Sequence, residues 1–143
     1  MAYLWDSNIL RHYSAKHPVL HENLKRVPIS EILIPIVVYA EQLRGRIEGL
    51  LKAEPARFLL AQQYLKETQE LLSGFAILDV DQRAVSVASQ FKQQIKTSKR
   101  HADLIIAAQT IAGRHILVTR NTTDFQDIVP AAQLKNWIDN RIG

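Results

Sequence analysis

The sequence predicts an α/β domain built on a mainly parallel sheet, and three observations carry that expectation. The chain has 143 residues, the length of one domain. Apolar residues make up 47% of it and charged residues 22%, the balance of a folded chain with its own core. Short apolar runs alternate with stretches of helical periodicity, so successive strands are joined by helices and pair in parallel. No repeat, low-complexity segment or linker-like stretch divides the chain, and one domain over residues 1–143 is expected.

Ala2 to Trp5 is an apolar run that stops at Asp6, which reads as a strand delivering an acid at its carboxyl end. Ser7 or Asn8 can cap a helix through Ile9, Leu10 and Tyr13. Pro18 opens a second short helix through Leu24, and Pro28 ends it. Ile29 to Ile34 is the next strand, and Pro35 suits the first turn of the helix that follows. In that helix Ile36, Ala40, Leu43, Ile47 and Leu50 share one face, with Glu41 at its margin. Pro55 restarts a helix to about Leu72, which Gly74 terminates. Phe75 to Val80 is a third strand, and Asp81 caps a helix to about Lys96. After a basic stretch, Asp103 opens a helix through Leu104, Ile105, Ile106, Ala107 and Ala108 that is apolar all round and therefore internal. Gly113 stops it, His115 to Thr119 is a fourth strand, and Asn121 to Asp127 is a polar turn. Ala131 to Arg141 closes the chain as an amphipathic helix. Trp5 and Trp137 belong to the core.

Several functions are excluded or weakened by composition. Without cysteine there are no disulfides, thiolate zinc sites or cysteine nucleophiles. The longest apolar run, Ile32 to Ala40, is far short of the roughly 20 residues of a spanning helix. The start Met-Ala-Tyr-Leu-Trp-Asp lacks a basic leader, so a cytoplasmic location is expected. No glycine-rich phosphate loop or G-x-S-x-G elbow is present. His17 and His21 have ligand-like spacing, but Pro18 lies between them and no third zinc ligand is near. Eighteen basic residues against 14 acids give a net charge of +4, which permits a polyanionic partner.

Ligands of open parallel sheets bind beyond the carboxyl ends of the strands. Asp6 follows the first strand, Asn121 and Asp124 the fourth, Asp103 opens the buried helix, and Glu41 lies in the helix after the second strand. Singly, each acid has an ordinary structural role: Asp6 and Asp103 as helix caps, Glu41 as a partner of Arg44 or Arg46. Together, several ionised carboxylates need a cation, and oxygen-only ligands suit Mg²⁺ or Mn²⁺. Such an ion beside basic flanks points to phosphodiester hydrolysis. Lys92, Lys96, Lys99, Arg100 and His101 cluster before Asp103, Arg44 and Arg46 follow Glu41, and Arg120 adjoins Asn121; all can hold phosphates.

Four segments carry a family resemblance: Leu4-Trp5-Asp6-Ser7-Asn8-Ile9-Leu10, Ile36-Val37-Val38-Tyr39-Ala40-Glu41-Gln42-Leu43-Arg44-Gly45, His101-Ala102-Asp103-Leu104-Ile105-Ile106-Ala107-Ala108, and Leu117-Val118-Thr119-Arg120-Asn121-Thr122-Thr123-Asp124-Phe125. In that order they resemble the PIN-domain nucleases, and most of all the VapC-type toxins of toxin–antitoxin pairs. The resemblance implies a three-layer α/β/α fold with a central, mainly parallel sheet of four to five strands. It makes Asp6, Glu41 and Asp103 the acids of a Mg²⁺ (or Mn²⁺) site. Asn121 stands where the family has a fourth acid, and Asp124 is placed to supply the missing charge. Ser7, Asn8 and Thr119 take supporting roles; from their position beside these acids, and not from the resemblance, Arg44, Lys99, Arg100 and Arg120 are expected at RNA phosphates. The implied partners are an RNA substrate, a small VapB-type antitoxin whose tail covers the acidic cleft, and a second copy in a homodimer. Three other readings stand beside the toxin. One is a housekeeping RNA-processing nuclease of the same fold, and another is a decayed PIN domain that only binds nucleic acid. The third, an aspartyl phosphatase, is disfavoured because Asn8 stands where its second acid belongs.

Overall fold

The computed structural model describes residues 2–94 and 101–142. Its centre is a five-stranded, wholly parallel sheet in an α/β/α arrangement. The strands are β1 (Tyr3–Trp5), β2 (Ile32–Pro35), β3 (Ala76–Leu78), β4 (Ile116–Val118) and β5 (Leu134–Lys135), in spatial order β3-β2-β1-β4-β5. β1 is central: Tyr3 and Leu4 lie opposite Ile32 and Leu33 on one side, and Tyr3, Leu4 and Trp5 opposite Ile116, Leu117 and Val118 on the other. The chain grows outward from β1 through β2 to β3, then crosses to the far side for β4 and β5. Strand order thus reverses between β1 and β4, which opens a crevice at their carboxyl ends.

Six α-helices are described: α1 (Ser7–Ser14), α2 (Pro18–Leu24), α3 (Ile36–Leu51), α4 (Phe58–Ser73), α5 (Gln82–Gln94) and α6 (His101–Ala112). Local chemistry sets most of their ends. Pro18 starts α2, Asp81 accepts the Ala84 N–H at 2.9 Å to cap α5, and Gly74 ends α4. Gly113 ends α6 through close approach, because a Cβ there would lie 2.2 Å from His115 Nε2. The residue that turns left-handed is the next one, Arg114, at φ 53°. α6 is the internal helix its sequence predicts, with Leu104, Ile106, Ala107, Ala108, Gln109 and Thr110 all buried. Gln109 spends its amide on the carbonyls of Leu78 and Asp79 (3.1 and 3.2 Å), which ties α6 to the end of β3. None of the described helices is long and apolar enough to cross a membrane.

The core gathers on Trp5, which has no exposed surface. Its ring meets Phe75, Tyr13 and Trp137 at centroid distances of 5.3, 5.5 and 6.4 Å, so the carboxyl-terminal segment is packed onto the central strand. Aromatic groups of this size dominate core energetics.

Four expectations need correction. The α1 cap is Asp6, not Ser7 or Asn8: its Oδ1 accepts the Ile9 N–H at 3.3 Å. Residues Ile29–Glu31 form a 3₁₀ turn, so β2 begins only at Ile32. The apolar stripe of α3 is not its buried face; Ala40 and Ile47 are exposed and Val38 is the buried residue. Residues 131–141 are not a helix. A 3₁₀ turn (Ala131–Gln133) leads into β5, whose Lys135 carbonyl accepts the Thr119 N–H at 2.9 Å. Asn136 Oδ1 then accepts the Ile138 and Asp139 N–H groups at 2.9 and 3.1 Å. That side-chain turn occupies the amides a helix would need.

Candidate active site

Beyond the carboxyl ends of β1 and β4 lies a cavity of about 190 Å³. Asp6, Glu41, Asp103, Asn121 and Asp124 all line it, with Ser7, Asn8 and Arg11 at its margin and Ile106 and Phe125 as its apolar wall. Each polar residue arrives by a separate element. Asp6 follows β1 directly, Glu41 stands on α3 just after β2, and Asp103 is the third residue of α6. Asn121 and Asp124 belong to the turn after β4.

Asp6 is tightly held. It is 7% exposed, and its Oδ2 accepts from Asn8 Nδ2 at 3.1 Å and from the Thr119 hydroxyl. Thr119 Oγ1 accepts in turn from the Asn121 N–H at 3.0 Å, and Asn8 Oδ1 from the Arg120 N–H at 3.4 Å. Asn8 and Thr119 therefore stitch the start of α1 to the end of β4 and fix the carboxylate between them. Burial raises the Asp6 pKa from 3.8 to about 6. Hydrogen bonds from Thr119, Ile9 and Asn8 oppose the rise, and the negative charge of Asp103 adds to it. The two carboxylates thus sense each other across the cavity.

Among the described residues no three His, Asp or Glu side chains close on a common point. Asp6, Glu41, Asp103 and Asp124 line the cavity from four separate elements.

The basic residues expected at phosphates are placed differently. Arg120 forks onto Asp139, with Nε and Nη2 each at 3.1 Å, and does not line the cavity. Arg44 faces solvent and pairs with Glu48 at 3.9 Å. Lys96, Lys99 and Arg100 lie outside the described residues. Arg11, by contrast, lines the cavity and was not singled out from sequence. Its signal was available, since it sits four residues after Ser7 and so on the same face of α1. His21 stacks on Tyr13 and its Nε2 lies 3.2 Å from the Tyr13 carbonyl oxygen, a packing role.

A model of the PIN domain matches residues 3–129. No curated protein matches the chain closely enough in sequence to count as a relative. Among solved structures, a chain of the VapBC-1 structure from nontypeable Haemophilus influenzae is similar over 96% of this chain and 98% of its own, at 17% identity and a TM-score of 0.76. A chain of the DNA-bound VapBC of Salmonella typhimurium covers 96% of this chain and 98% of its own, at 20% identity and a TM-score of 0.77. A chain of VapBC2 from Rickettsia felis, bound to a promoter DNA fragment, covers 96% and 99%, at 26% identity and a TM-score of 0.70.

Proposed function

We propose, from the premise that this chain belongs to the PIN-domain family, that it is a metal-dependent endoribonuclease and the toxin of a VapC-type toxin–antitoxin pair. The family is one of nucleases, so phosphodiester hydrolysis is the coarse activity. The observation that carries the finer reading is the single cavity lined by Asp6, Glu41, Asp103, Asn121 and Asp124 at the strand-order reversal. Its donors are carboxylate and amide oxygens, a set suited to Mg²⁺ or Mn²⁺. Asp6, Glu41 and Asp103 would hold the ion, with Asn121 as a neutral oxygen donor and Asp124 acting through water. Bound there, Mg²⁺ or Mn²⁺ supplies charge to polarise a phosphoryl oxygen and to acidify a water.

The chain's own residues do the rest. Asn8 and Thr119 orient the Asp6 carboxylate, and Asp6 must release its proton to become a ligand. Asp103 is carried into the cavity by the first turn of α6. Ile106 and Phe125, 3% and 2% exposed, exclude water from one wall of the cavity. We place the whole of residues 1–143 in one PIN domain, because β5, beyond the matched stretch, extends the same sheet. The reading includes a cytoplasmic location, a VapB-type antitoxin whose tail covers the cleft, and a homodimer. The similarity to VapBC structures supports the antitoxin.

The test is cleavage of a labelled RNA by purified protein. Cleavage is expected to vanish in EDTA, to return with Mg²⁺ or Mn²⁺, and to be lost in Asp103→Asn with an unchanged unfolding curve. Undiminished cutting in EDTA would overturn the metal-dependent reading.

A further inference from the structure

A second depression, a groove of about 460 Å³ between α1, α3 and α4, adjoins the carboxylate cavity; Ser7 and Arg11 line both. Two guanidinium groups dominate it. Arg11 stands at the junction, and Arg46 lies farther along on α3. Among the described residues neither forms an ion pair, whereas Arg44 and Arg120 are engaged with Glu48 and Asp139. Arg46 is held in place by neutral neighbours: its Nε donates to Thr68 Oγ1 at 3.2 Å, and its Cζ lies 5.1 Å from the centroid of the Tyr64 ring. Only one of its five N–H donors is used in that contact. Glu67, also in the groove, accepts from Gln63 Nε2 at 2.8 Å. A phosphate arriving there would meet two cations, Arg46 held in place by Thr68 and Tyr64 and Arg11 exposed at the junction.

We infer that this groove carries the sugar–phosphate backbone of the RNA outside the cavity. Arg11 contacts a phosphate next to the one cleaved, and Arg46 contacts one farther along the strand. The inference rests on the nuclease reading. An acidic peptide would find the same two cations, but a nucleic acid must in addition bring one of its phosphates to Asp6, Glu41 and Asp103. The continuity of groove and cavity through Ser7 and Arg11 provides for that and favours RNA. Contacts of this kind set register and affinity without reading bases.

The experiment is fluorescence-anisotropy binding of a labelled single-stranded oligoribonucleotide to metal-free protein across a KCl series, with cleavage measured in parallel in Mg²⁺. Arg11→Gln and Arg46→Gln are each expected to weaken binding about tenfold at low salt and to lower the slope of log K against log[KCl] by about 0.7. Arg46→Lys should keep most of that slope. Arg83→Gln, which removes a charge outside both depressions, should stay within about twofold of wild type. In cleavage, Arg46→Gln should raise KM with kcat nearly unchanged. Arg11 is exposed on α1, so its variant keeps the test decisive if Arg46→Gln fails to fold. Wild-type slopes in both glutamine variants, with cleavage intact, would overturn the groove assignment and leave the nuclease reading standing. Binding of polyglutamate through Arg11 and Arg46, with RNA binding unaffected by either substitution, would overturn it in favour of an acidic protein partner. If wild type neither binds nor cuts RNA, both readings fall.

Discussion

Replacing Asp6 by Asn should stabilise the metal-free protein at neutral pH while removing its activity. The Asp6 carboxyl titrates near 3.8 when exposed and at about 6 in the folded chain, chiefly because it is buried. Below pH 3.8 the group is neutral in both states and burial costs no charge. As pH rises to and through 6, the unfolded chain ionises first, and the folded state loses about 3 kcal/mol, roughly two units at 1.36 kcal/mol each. The asparagine variant escapes that loss. It offers one acceptor oxygen where the carboxylate uses two, so either the Ile9 N–H or the Asn8 and Thr119 donors lose their partner. That costs about 1–2 kcal/mol at every pH. The variant should therefore be less stable than wild type at pH 4 and more stable, by about 1–2 kcal/mol, at pH 8. Urea unfolding of both proteins in EDTA at several pH values measures this. His12 and His115, whose pKa values are lowered mainly by burial, titrate in both proteins and largely cancel in the difference. Parallel stability curves from pH 4 to pH 8 would refute the reasoning, because they would mean that Asp6 carries no buried-charge penalty.

Asn121→Asp should tighten Mg²⁺ binding by adding a carboxylate to the cavity, and Asp124→Ala should weaken it less than Asp103→Ala does; calorimetric titration ranks all three. Asn23→Ala should cost about 2–4 kcal/mol in urea unfolding. Buried Asn23 donates to the Trp137 and Asn140 carbonyls at 3.0 and 2.9 Å and accepts the Ile142 N–H at 2.7 Å, so faster amide exchange at Ile142 should accompany the loss. Expression of wild type without a partner should slow growth, and Glu41→Gln should relieve it; equal slowing by both would contradict nuclease-based toxicity.

Much of the fold was legible because its boundaries are set by local chemistry. Pro18, Pro28, Pro55, Gly74, Asp81 and Gly113 each stand at or beside an element end, and α6 was visible as an apolar helix with no polar face. What failed depended on distant partners. Leu134, Trp137 and Ile138 have helical spacing, but the edge of β4 takes Leu134 and Lys135 into the sheet, and Asn136 and Asn23 satisfy the backbone that follows. The stripe on α3 misled because the exposed half of that helix still carries apolar residues such as Ile47 and Leu51. At the site, order along the chain brought Asp6, Glu41, Asp103, Asn121 and Asp124 to one cavity. Adjacency failed for the arginines: Arg120 neighbours Asn121 in sequence, yet its side chain turns to Asp139. The sequence offered helix cap and site acid as alternative roles for Asp6; the structure shows it capping α1 and lining the cavity at once.

Titrating Mg²⁺ into metal-free protein at pH 6, in buffers of different ionisation enthalpy, reads most directly whether Asp6 and its neighbours hold a divalent cation. With the Asp6 carboxyl half-protonated at that pH, wild type is expected to release about half a proton per ion bound, and close to none at pH 8. Asp6→Asn should bind Mg²⁺ more than about tenfold more weakly and release no proton. Equal affinity in the two proteins, with no proton release from wild type, would contradict a metal site built on Asp6.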